Sequence, residues 1–451
     1  MKICVVGLGK LGYPMSLFLS SSGFQINCYD KDKSIYKKIT DSNYLNYEES
    51  LNDFNEYKNN LIYFDSLDAT LKDTSICFIT VPTPSKLDGS FSLDNINLVL
   101  DNIGLFLSKK KISNPYVINI CSTISPGSCD NQITPYLEKK YNLKEGIDFV
   151  IAYNPYFVAL GSVVKTLLNP DFVLIGCKNR DNLKNLLNIY NAIYSQDVKI
   201  KFLSLKEAEI VKIFINTFLT LKISYSNYMQ LITLSDKELS LDKILDCIGE
   251  DKRIGKSFLQ PGLPYGGPCL PRDNDAAINF TNKIDVDSSL NRSSILINKI
   301  YFSYLFSQID YLIKNKIKKI SFLGIGYRPN TDCIEDSISI SLIDYCLENN
   351  FEVSLYDFYI NSDYKKIKKY SNLENLMEDS NLIFIPYKDK KFNQLLNFQK
   401  NNFVILDFFN QFNNNNNNNN NIRITNDLRK IDLTFLKKTA ELDSKILKFN
   451  K

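Results

Sequence analysis

The segment GLPYGGPCLPRD, residues 262–273, contains a cysteine in an unusual setting, Cys269. Four of the five residues before it are glycine or proline, so the backbone there is predicted to be bent and open rather than packed. A thiolate can attack an aldehyde if a nearby cation lowers its pKa, and Asp273 lies close enough in sequence to orient water or a lysine. The alternative is a buried, inert thiol, because free cysteine is among the most buried residue types.

A second set of polar residues shares one face of a predicted helix. Glu209, Lys212 and Asn216 are spaced three and four residues apart within KEAEIVKIFINTFLTLKISYSNYMQLITL. Burying a lysine and an amide within an apolar stripe costs free energy, so such a pair is expected where both side chains have a function, as in an active site. A solvated polar strip is the alternative, and the residues alone support both interpretations equally.

A glycine-rich turn follows the first predicted strand. In KICVVGLGKLG, Gly7 allows a tight turn, Gly9 lets the backbone approach a pyrophosphate, and Gly12 lets the helix pack on the strand. Asp30 ends the next strand, where a carboxylate would bind ribose hydroxyls and favour NAD over NADP, a preference that the nearby lysines weaken. The alternative is a Gly-rich turn in a core. Strand, helix and distal acid together favour a dinucleotide site.

The composition excludes several kinds of chemistry. The chain has no histidine, so an imidazole base, a Ser-His-Asp triad and a His-ligated metal are ruled out, and we predict no metal site. The ten cysteines form no CxxC pair, which is typical of reduced thiols in a cytoplasmic protein. A net charge of +4 gives no reason to expect nucleic acid, and no segment is apolar enough to predict a membrane span.

The elements that must position these groups fall into three parts. Residues 1–200 alternate apolar runs with helical patterns, which predicts a parallel sheet covered on both faces. Residues 201–314 are predicted to be helical, with one helix of roughly thirty residues that suits a dimer seam or a domain spine. Residues 315–451 repeat the order strand, glycine turn, helix, strand ending in aspartate. We therefore predict an α/β protein with two Rossmann-like doubly wound domains joined by a central helical domain.

Nine consecutive asparagines, 413–421, interrupt the last part. Such a segment has no apolar surface to bury, so we predict a surface loop there.

Seven sequence blocks resemble the UDP-glucose/GDP-mannose dehydrogenase family, the nucleotide-sugar 6-dehydrogenases. They are GLGKLG, VPTP (81–84), STISPG (122–127), AEIVKIFIN, DKRIG (251–255), PYGGPCLPRD and GIGYRPNTD (324–332). The blocks occur in the family's order over nearly the whole chain, so the chain is identified as a member of this family.

The resemblance implies a four-electron oxidation of a sugar C6 alcohol to a carboxylate, with two NAD molecules reduced in turn. Cys269 corresponds to the cysteine that attacks the aldehyde; the thiohemiacetal gives up a second hydride, and water hydrolyses the thioester. Lys212 corresponds to the lysine that stabilises oxyanion character, and Asn216 to its companion amide. Asp273 and Thr123 correspond to groups that organise the proton relay and the water.

The same blocks imply the ligand contacts. Beyond the glycine turn and its distal aspartate, the resemblance assigns cofactor contacts to Leu11, Pro82, Thr83 and Thr123. The residues it assigns to the nucleotide sugar, a UDP-sugar being favoured, are Lys212, Asn216, Arg253, Tyr265, Gly266 and Arg328. Arg253 would reach the substrate across a homodimer, and a guanidinium can pair two phosphate oxygens at once.

The chain departs from the family pattern at four positions. Tyr156 and Leu160 stand where NPEFLREG has glutamates, one of which is implicated in water activation. Glu335 and Phe409 each replace an arginine. Losing a cation beside an anionic ligand weakens binding by about 1–3 kcal/mol per charged hydrogen bond, so the sugar or the nucleotide could differ from UDP-glucose.

We predict a cytoplasmic, NAD-dependent nucleotide-sugar 6-dehydrogenase that forms a homodimer through its long helix and makes a uronic acid precursor for surface polysaccharide. Neither nucleic acid nor membrane is predicted as a partner. One alternative is a two-electron hydroxyacid dehydrogenase of the 6-phosphogluconate type, which also uses a Lys-Asn pair but needs no cysteine. The other is a degenerate nucleotide-sugar-binding protein without full turnover.

Overall fold

The computed structural model describes residues 1–41, 44–45, 47–109, 114–236, 238–365, 367–398, 403–409, 411–412 and 422–428. The asparagine insertion predicted at 413–421 lies outside these residues. Contacts within the chain group it into two compact units, Met1–Ile215 with Asp275–Asp287 and Asn216–Asn274 with Ser288–Lys451. Each unit is described by itself.

The first unit is built on a sheet of eight described strands. They are β1 (Lys2–Val6), β2 (Gln25–Tyr29), β3 (Leu61–Tyr63), β4 (Ile76–Ile79), β5 (Tyr116–Ile120), β6 (Phe149–Tyr153), β7 (Val173–Gly176) and β8 (Ile200–Leu203). The strand order is β3-β2-β1-β4-β5-β6-β7-β8, and its first six strands follow the order of doubly wound dinucleotide-binding folds. Neighbouring strands are parallel, except that β7 runs antiparallel to β6.

Helices cover both faces of this sheet. They are α1 (Gly12–Ser21), α2 (Ser34–Thr40), α3 (Leu67–Leu71), α4 (Asp94–Ser108), α5 (Thr134–Tyr141), α6 (Val163–Leu168) and α7 (Lys184–Ile193), with a π-helical turn at Cys129–Ile133. Successive β1 side chains alternate between two cores, because Ile3 and Val5 pack in one and Cys4 and Val6 in the other. This explains why the strand sequence is apolar without alternation.

The second unit contains a sheet of six described strands. They are β9 (Lys319–Leu323), β10 (Glu352–Tyr356), β11 (Lys368–Lys369), β12 (Leu382–Ile385), β13 (Phe403–Asp407) and β14 (Ile422–Thr425), with helices α12 (Ile338–Glu348) and α13 (Leu373–Asp379). All neighbours are parallel in the order β11-β10-β9-β12-β13-β14, which repeats the order of the first six strands of the other sheet. The predicted internal repeat is therefore present.

Four described helices lie between the two sheets in sequence. They are α8 (Leu205–Ser235), α9 (Leu241–Glu250), α10 (Leu270–Lys283) and α11 (Ser289–Lys314). The long helix is confirmed as one unbroken element of 31 residues. The predicted fold class, two Rossmann-like domains with a central helical part, is confirmed. The residue ranges of the three predicted domains stay a prediction, since α8 and α10 each have residues in both compact units.

Within the described residues, no helix is both long and apolar enough to cross a membrane.

Candidate active site

The glycine turn of the first unit has the geometry that its three glycines predict. Gly7 has φ +95°, and a Cβ there would lie 2.9 Å from the carbonyl carbon of Thr80. A Cβ on Gly12 would lie 1.9 Å from the carbonyl oxygen of Gly7. Among the residues that the structure describes, no atom beyond the two chain neighbours of Gly9 lies within 4 Å of a Cβ built on it. The turn is therefore tight where helix meets strand and open where a pyrophosphate would approach.

Asp30 links the end of β2 to this turn. Its Oδ2 accepts the backbone N–H of Leu8 at 2.7 Å, and the residue is partly exposed. The ammonium of Lys33, one of the lysines that weakened the preference for NAD, lies 4.1 Å from the ring centroid of Tyr29. A carboxylate oxygen can accept more than one hydrogen bond, so Asp30 can also accept from ribose hydroxyls.

The other predicted cofactor residues follow β4 and β5 or precede α1. The Thr83 hydroxyl donates to the carbonyl oxygen of Thr123 at 2.6 Å, which ties the two segments together. The Pro82 carbonyl accepts from the Asn95 side chain at 2.8 Å. Leu11 is partly buried against the core at the start of α1. These groups lie at the carboxyl ends of neighbouring parallel strands, where such sheets bind ligands.

Lys212 is a largely buried cation, with 9% of its surface exposed. Its Nζ donates to the carbonyl oxygen of Tyr156 at 2.9 Å and lies 5.2 Å from the ring centroid of Phe157. The solvated-strip alternative is therefore wrong for this residue. An ammonium has three N–H donors, so Lys212 can bind a ligand oxygen as well as the carbonyl.

The two positions that lack the family's glutamates have structural roles. The Tyr156 and Tyr190 hydroxyls lie 2.9 Å apart, and Tyr190 donates to Asn154 Oδ1. Burial raises the pKa of Tyr156 well above its ordinary value. Leu160 packs against the core of the first unit. Neither residue provides a carboxylate that could activate water.

Glu209 is completely buried one turn before Lys212. Its Oε2 accepts the backbone N–H of Gly127, and its Oε1 accepts that of Cys129 at 2.8 Å. Burial raises the pKa of Glu209 to about 7, although the hydrogen bonds from Cys129 and Gly127 act in the opposite direction. Its spacing indicated a shared face with Lys212, but these backbone partners, some eighty residues away in sequence, could not be predicted.

In the second unit, Cys269 directly precedes α10. Its carbonyl oxygen accepts the N–H of Asp273 at 3.0 Å, and the side chain is exposed, so the buried-thiol alternative is wrong. The N-terminus of a helix carries partial positive charge, which favours a thiolate. The predicted bend is present, since Gly267 has φ +79°, but the prediction that the backbone there is open is wrong: Gly267 is buried, and a Cβ on Gly266 would lie 2.2 Å from the carbonyl oxygen of Asp336.

Asn216 and Asp273 are brought together. The Asn216 Nδ2 donates to Asp273 Oδ2 at 2.6 Å, and only 2% of Asp273 is exposed. The amide therefore fixes the orientation of a buried carboxylate near Cys269 in sequence.

The predicted substrate residues of the second unit differ in burial. Tyr265 is buried, and its backbone is bonded at both N–H and C=O to the side chain of Asn298, at 2.8 and 3.0 Å. Arg328 is partly buried, and its Nε, which is itself buried, has no hydrogen-bond partner in the described part of the chain. Arg253 is exposed and forms a local ion pair with Asp251 at 2.6 Å.

The two positions that lack the family's arginines also differ. Glu335 is exposed. The ring of Phe409 covers Gly262, where a Cβ would lie 2.2 Å from it, and packs against both cores of the second unit. An apolar ring therefore stands where the family pattern has a guanidinium.

Taken separately, the first unit provides an open dinucleotide-binding turn, and the second provides an exposed thiol four residues before a buried carboxylate; both features are those of a dehydrogenase. Residues 1–194 match the NAD binding domain of the UDP-glucose/GDP-mannose dehydrogenase family, residues 206–300 match its central domain, and residues 321–414 match its UDP binding domain. The chain therefore belongs to the UDP-glucose/GDP-mannose dehydrogenase family. It is an NAD-dependent nucleotide-sugar dehydrogenase, so the predicted family, enzyme class and cofactor are confirmed.

Individual proteins agree with this assignment. The chain is 31% identical over 355 residues to the UDP-glucose 6-dehydrogenase of Rickettsia typhi, which covers 76% of this chain and 77% of that protein. The solved UDP-glucose dehydrogenase of Pyrobaculum islandicum superposes with a TM-score of 0.78 at 22% identity, over 91% of this chain and 95% of that one. The UDP-D-ManNAc dehydrogenase of Pyrococcus horikoshii gives 0.77 at 22% identity, over 94% and 99%. Both structures share the fold.

Proposed function

We propose that the protein oxidises the C6 alcohol of a UDP-sugar to the carboxylate, with Cys269 as the nucleophile. The observation that carries this proposal is the exposed thiol at the N-terminus of α10, four residues before a buried aspartate that is bonded to Asn216. On α8, Asn216 follows Lys212 by one turn, so an amide and an ammonium that can bind an oxyanion lie on the same face of the helix.

The chain's own groups account for the covalent steps. Two NAD molecules, bound in turn, would each accept one hydride, the first from the alcohol and the second from the later adduct. Between these oxidations the Cys269 thiolate adds to the aldehyde carbon, and Lys212 and Asn216 stabilise the oxyanion of the thiohemiacetal. Loss of the second hydride leaves a thioester, and water then releases the acid and restores the thiol.

Asp273 is the proposed group that orients the water. Tyr156 and Leu160 cannot do so, because one is bonded to Tyr190 and the other packs in the core. Asp273 does provide a carboxylate, and its orientation is fixed because the Asn216 Nδ2 donates to its Oδ2 at 2.6 Å. This carboxylate therefore performs the function that a glutamate has in the family pattern.

The sugar nucleotide is proposed to be a UDP-sugar because residues 321–414 match a UDP binding domain. Phe409 and Glu335 stand where the family pattern has arginines, so fewer cationic side chains are available to bind the substrate. We expect a KM higher than that of a relative with both arginines. The product would be a uronic acid, which suits a precursor of surface polysaccharide.

A homodimer through α8 is part of this proposal. The exposed apolar side chains of this helix are Phe218, Tyr225, Tyr228 and Ile232, with 62%, 44%, 50% and 37% of their surfaces exposed. Their spacing of seven, three and four residues forms one stripe along the helix, as expected for a seam between two copies. Sedimentation should give a dimer that Phe218→Asp weakens, whereas Leu98→Asp on α4, equally exposed, leaves it intact.

The deciding experiment counts NADH for each sugar molecule consumed, with NAD and a panel of UDP- and GDP-sugars, and identifies the products by mass spectrometry. Two NADH and a uronic acid are expected. Cys269→Ser should form no acid, whereas Cys247→Ser, which also removes an exposed thiol, should behave as wild type.

The alternatives give different results in the same experiment. A two-electron hydroxyacid dehydrogenase would form one NADH and tolerate Cys269→Ser. A degenerate binding protein would be protected from unfolding by nucleotide sugars without forming NADH. Full turnover by Cys269→Ser would overturn the proposed mechanism.

A further inference from the structure

The loop at residues 123–129, which follows β5, is held by a buried carboxylate that the proposed reaction does not use. Both oxygens of Glu209 accept backbone N–H groups of this loop, from Gly127 and Cys129, and the Cys129 thiol also donates to the carboxylate. Gly127 has φ +87°, so the chain turns sharply at the first of these contacts. We refer to Glu209 and these two backbone amides as the Glu209 bracket.

The loop begins with Thr123. Its carbonyl oxygen accepts from the Thr83 hydroxyl at 2.6 Å, which fixes one end of the loop to the segment after β4. The Ser125 hydroxyl accepts the N–H of Phe91 at 3.0 Å. The Glu209 bracket fixes the other end, so the loop is anchored on both sides of its turn.

The same turn of α8 contacts a second segment. Lys212, three residues after Glu209, donates to the carbonyl oxygen of Tyr156 in the segment after β6. One helical turn therefore contacts the segments that follow two neighbouring strands, β5 and β6. Because Glu209 and Lys212 lie on the same turn of α8, the hydrogen bonds that attach the loop to Glu209 also set its distance from the Lys212 ammonium.

We propose that Glu209 is a positioning residue that holds Thr123 in register with Lys212 during the oxidation. This inference rests on the proposed function. A misplacement of about 1 Å in a catalytic arrangement can lower the rate roughly a hundredfold, so a rigid tie between the two segments matters for turnover.

The ionised carboxylate is the form that fits the bracket, because it only accepts hydrogen bonds whereas the acid must donate one. The titratable groups that act on Glu209 are the Cys129 thiol and Asp130. Glu145 acts on the Cys129 thiol, and Lys178 pairs with both Asp130 and Glu145. With a pKa of about 7, the carboxylate is mostly protonated below neutrality. Turnover should therefore fall as the pH is lowered through about 7.

The contribution of Glu209 to folding stability changes with pH in the direction opposite to that of turnover. The pKa of Glu209 is raised from an ordinary value of 4.5, so its contribution to stability is largest below that value. This contribution is lost as the pH rises through about 7. The form that the reaction requires is thus the form that burial disfavours.

Glu209→Gln tests the proposal, because an amide keeps the shape but has only one acceptor oxygen. The matched control is Asp101→Asn on α4, a carboxylate that accepts from Tyr136 and Tyr141 at 2.6 and 2.7 Å and so anchors α5 beyond the loop. Two readouts are needed: hydrogen exchange at the Gly127 and Cys129 amides, and the pH profiles of kcat and KM.

Glu209→Gln should accelerate exchange at both amides and lower kcat by about 10- to 100-fold. KM for the nucleotide sugar should change less than about threefold, and the loss of activity on acidification through about 7 should disappear. Asp101→Asn should leave both readouts as in wild type. A kcat within about twofold of wild type for Glu209→Gln, or an equal loss in Asp101→Asn, would overturn the proposal.

Hydrogen exchange needs no substrate. If wild type forms no NADH with any nucleotide sugar, the proposed function fails, and the exchange at the two amides still decides whether the bracket holds the loop.

Discussion

The two Rossmann-like halves tie their glycine turns to a distal acid in the same way. In the first half the N–H of Leu8 donates to Asp30 Oδ2 at 2.7 Å, and in the second the N–H of Ile325 donates to Asp357 Oδ2 at 2.8 Å. The strand order around the two turns is also the same. The backbone of a dinucleotide-binding turn is therefore present twice.

The space around the two turns differs. A Cβ on Gly9 meets no atom within 4 Å, whereas one on Gly326 would lie 3.2 Å from the carbonyl oxygen of Arg328. Asp357 is 5% exposed, and its Oδ1 accepts two further backbone N–H groups, whereas Asp30 is partly exposed. The difference indicates that the ability to bind a dinucleotide depends on what surrounds the turn and cannot be inferred from topology alone.

The largest effect is expected at the closest contact of the open turn. Gly12→Ala would place its Cβ 1.9 Å from the Gly7 carbonyl oxygen and 2.4 Å from Thr80 Oγ1, so helix and strand must separate. We expect the free energy of unfolding to fall by about 3 kcal/mol and NAD binding to be lost. Thermal unfolding measures the first and calorimetric titration the second. An unchanged melting temperature would contradict the geometry of this turn.

Gly9→Ala separates binding from folding. The added methyl meets no protein atom but occupies the path of a pyrophosphate, so stability should change by less than about 0.5 kcal/mol. NAD affinity should fall by roughly 30-fold, about 2 kcal/mol. The matched change Gly326→Ala should leave NAD affinity unchanged. If both variants bind NAD like wild type, the first turn is not the cofactor site.

The two acids should respond differently to amide substitution. Asp30→Asn should lower NAD affinity about tenfold and reduce the preference over NADP, because a charged acceptor for ribose hydroxyls is lost. Asp357→Asn should keep NAD affinity and instead destabilise the second unit, whose three backbone donors lose their carboxylate. If Asp30→Asn and Asp357→Asn changed NAD affinity equally, the inference that NAD binds only at the first of the two turns would be wrong.

The smallest effect concerns the first strand of each half. Lys319 pairs with Asp379 at 2.8 Å with 11% and 22% of the side chains exposed, whereas Lys2 pairs with Asp73 at 3.8 Å with 42% and 63% exposed. Lys319→Gln should cost about 1 kcal/mol of stability at neutral pH, and Lys2→Gln less than about 0.5 kcal/mol. Urea unfolding of the two variants measures this difference.

The partly buried pair of Lys319 and Asp379 also predicts acid sensitivity. Burial alone would raise the pKa of Asp379, but hydrogen bonds from Lys319, Lys368 and Tyr370 outweigh it and lower the pKa to about 2. The stability contributed by this carboxylate is present above its ordinary pKa of 3.8 and is lost as the pH falls towards 2. Lys319→Gln should therefore move the acid unfolding midpoint to higher pH; a midpoint equal to that of Lys2→Gln would contradict this pairing.

Much of the fold was predictable because its signals are local. The glycine turn, the acid at Asp30, the repeat in the second half and the 31-residue helix each follow from spacing within a few turns of chain. The antiparallel direction of β7, in a sheet predicted to be parallel, has no local signal, because a buried strand has the same pattern in either direction.

The site was less predictable wherever a contact joins distant segments. Cys269, Asn216 and Asp273 were singled out from motif order, but the hydrogen bond between Asn216 and Asp273 was not predicted. The Tyr190 partner of Tyr156 and the backbone partners of Glu209 depend on which loops the sheet brings together, so no spacing in the sequence indicates them.

The Glu209 bracket has a spectroscopic consequence. Because the chain has no histidine, no imidazole changes charge near neutrality. A buried carboxyl with a pKa of about 7 would be neutral in mildly acidic buffer, where exposed carboxyls are already ionised. Its carbonyl stretch should therefore appear as an infrared band that is lost as the pH rises through about 7, which makes this side chain a native probe of local electrostatics that requires no label.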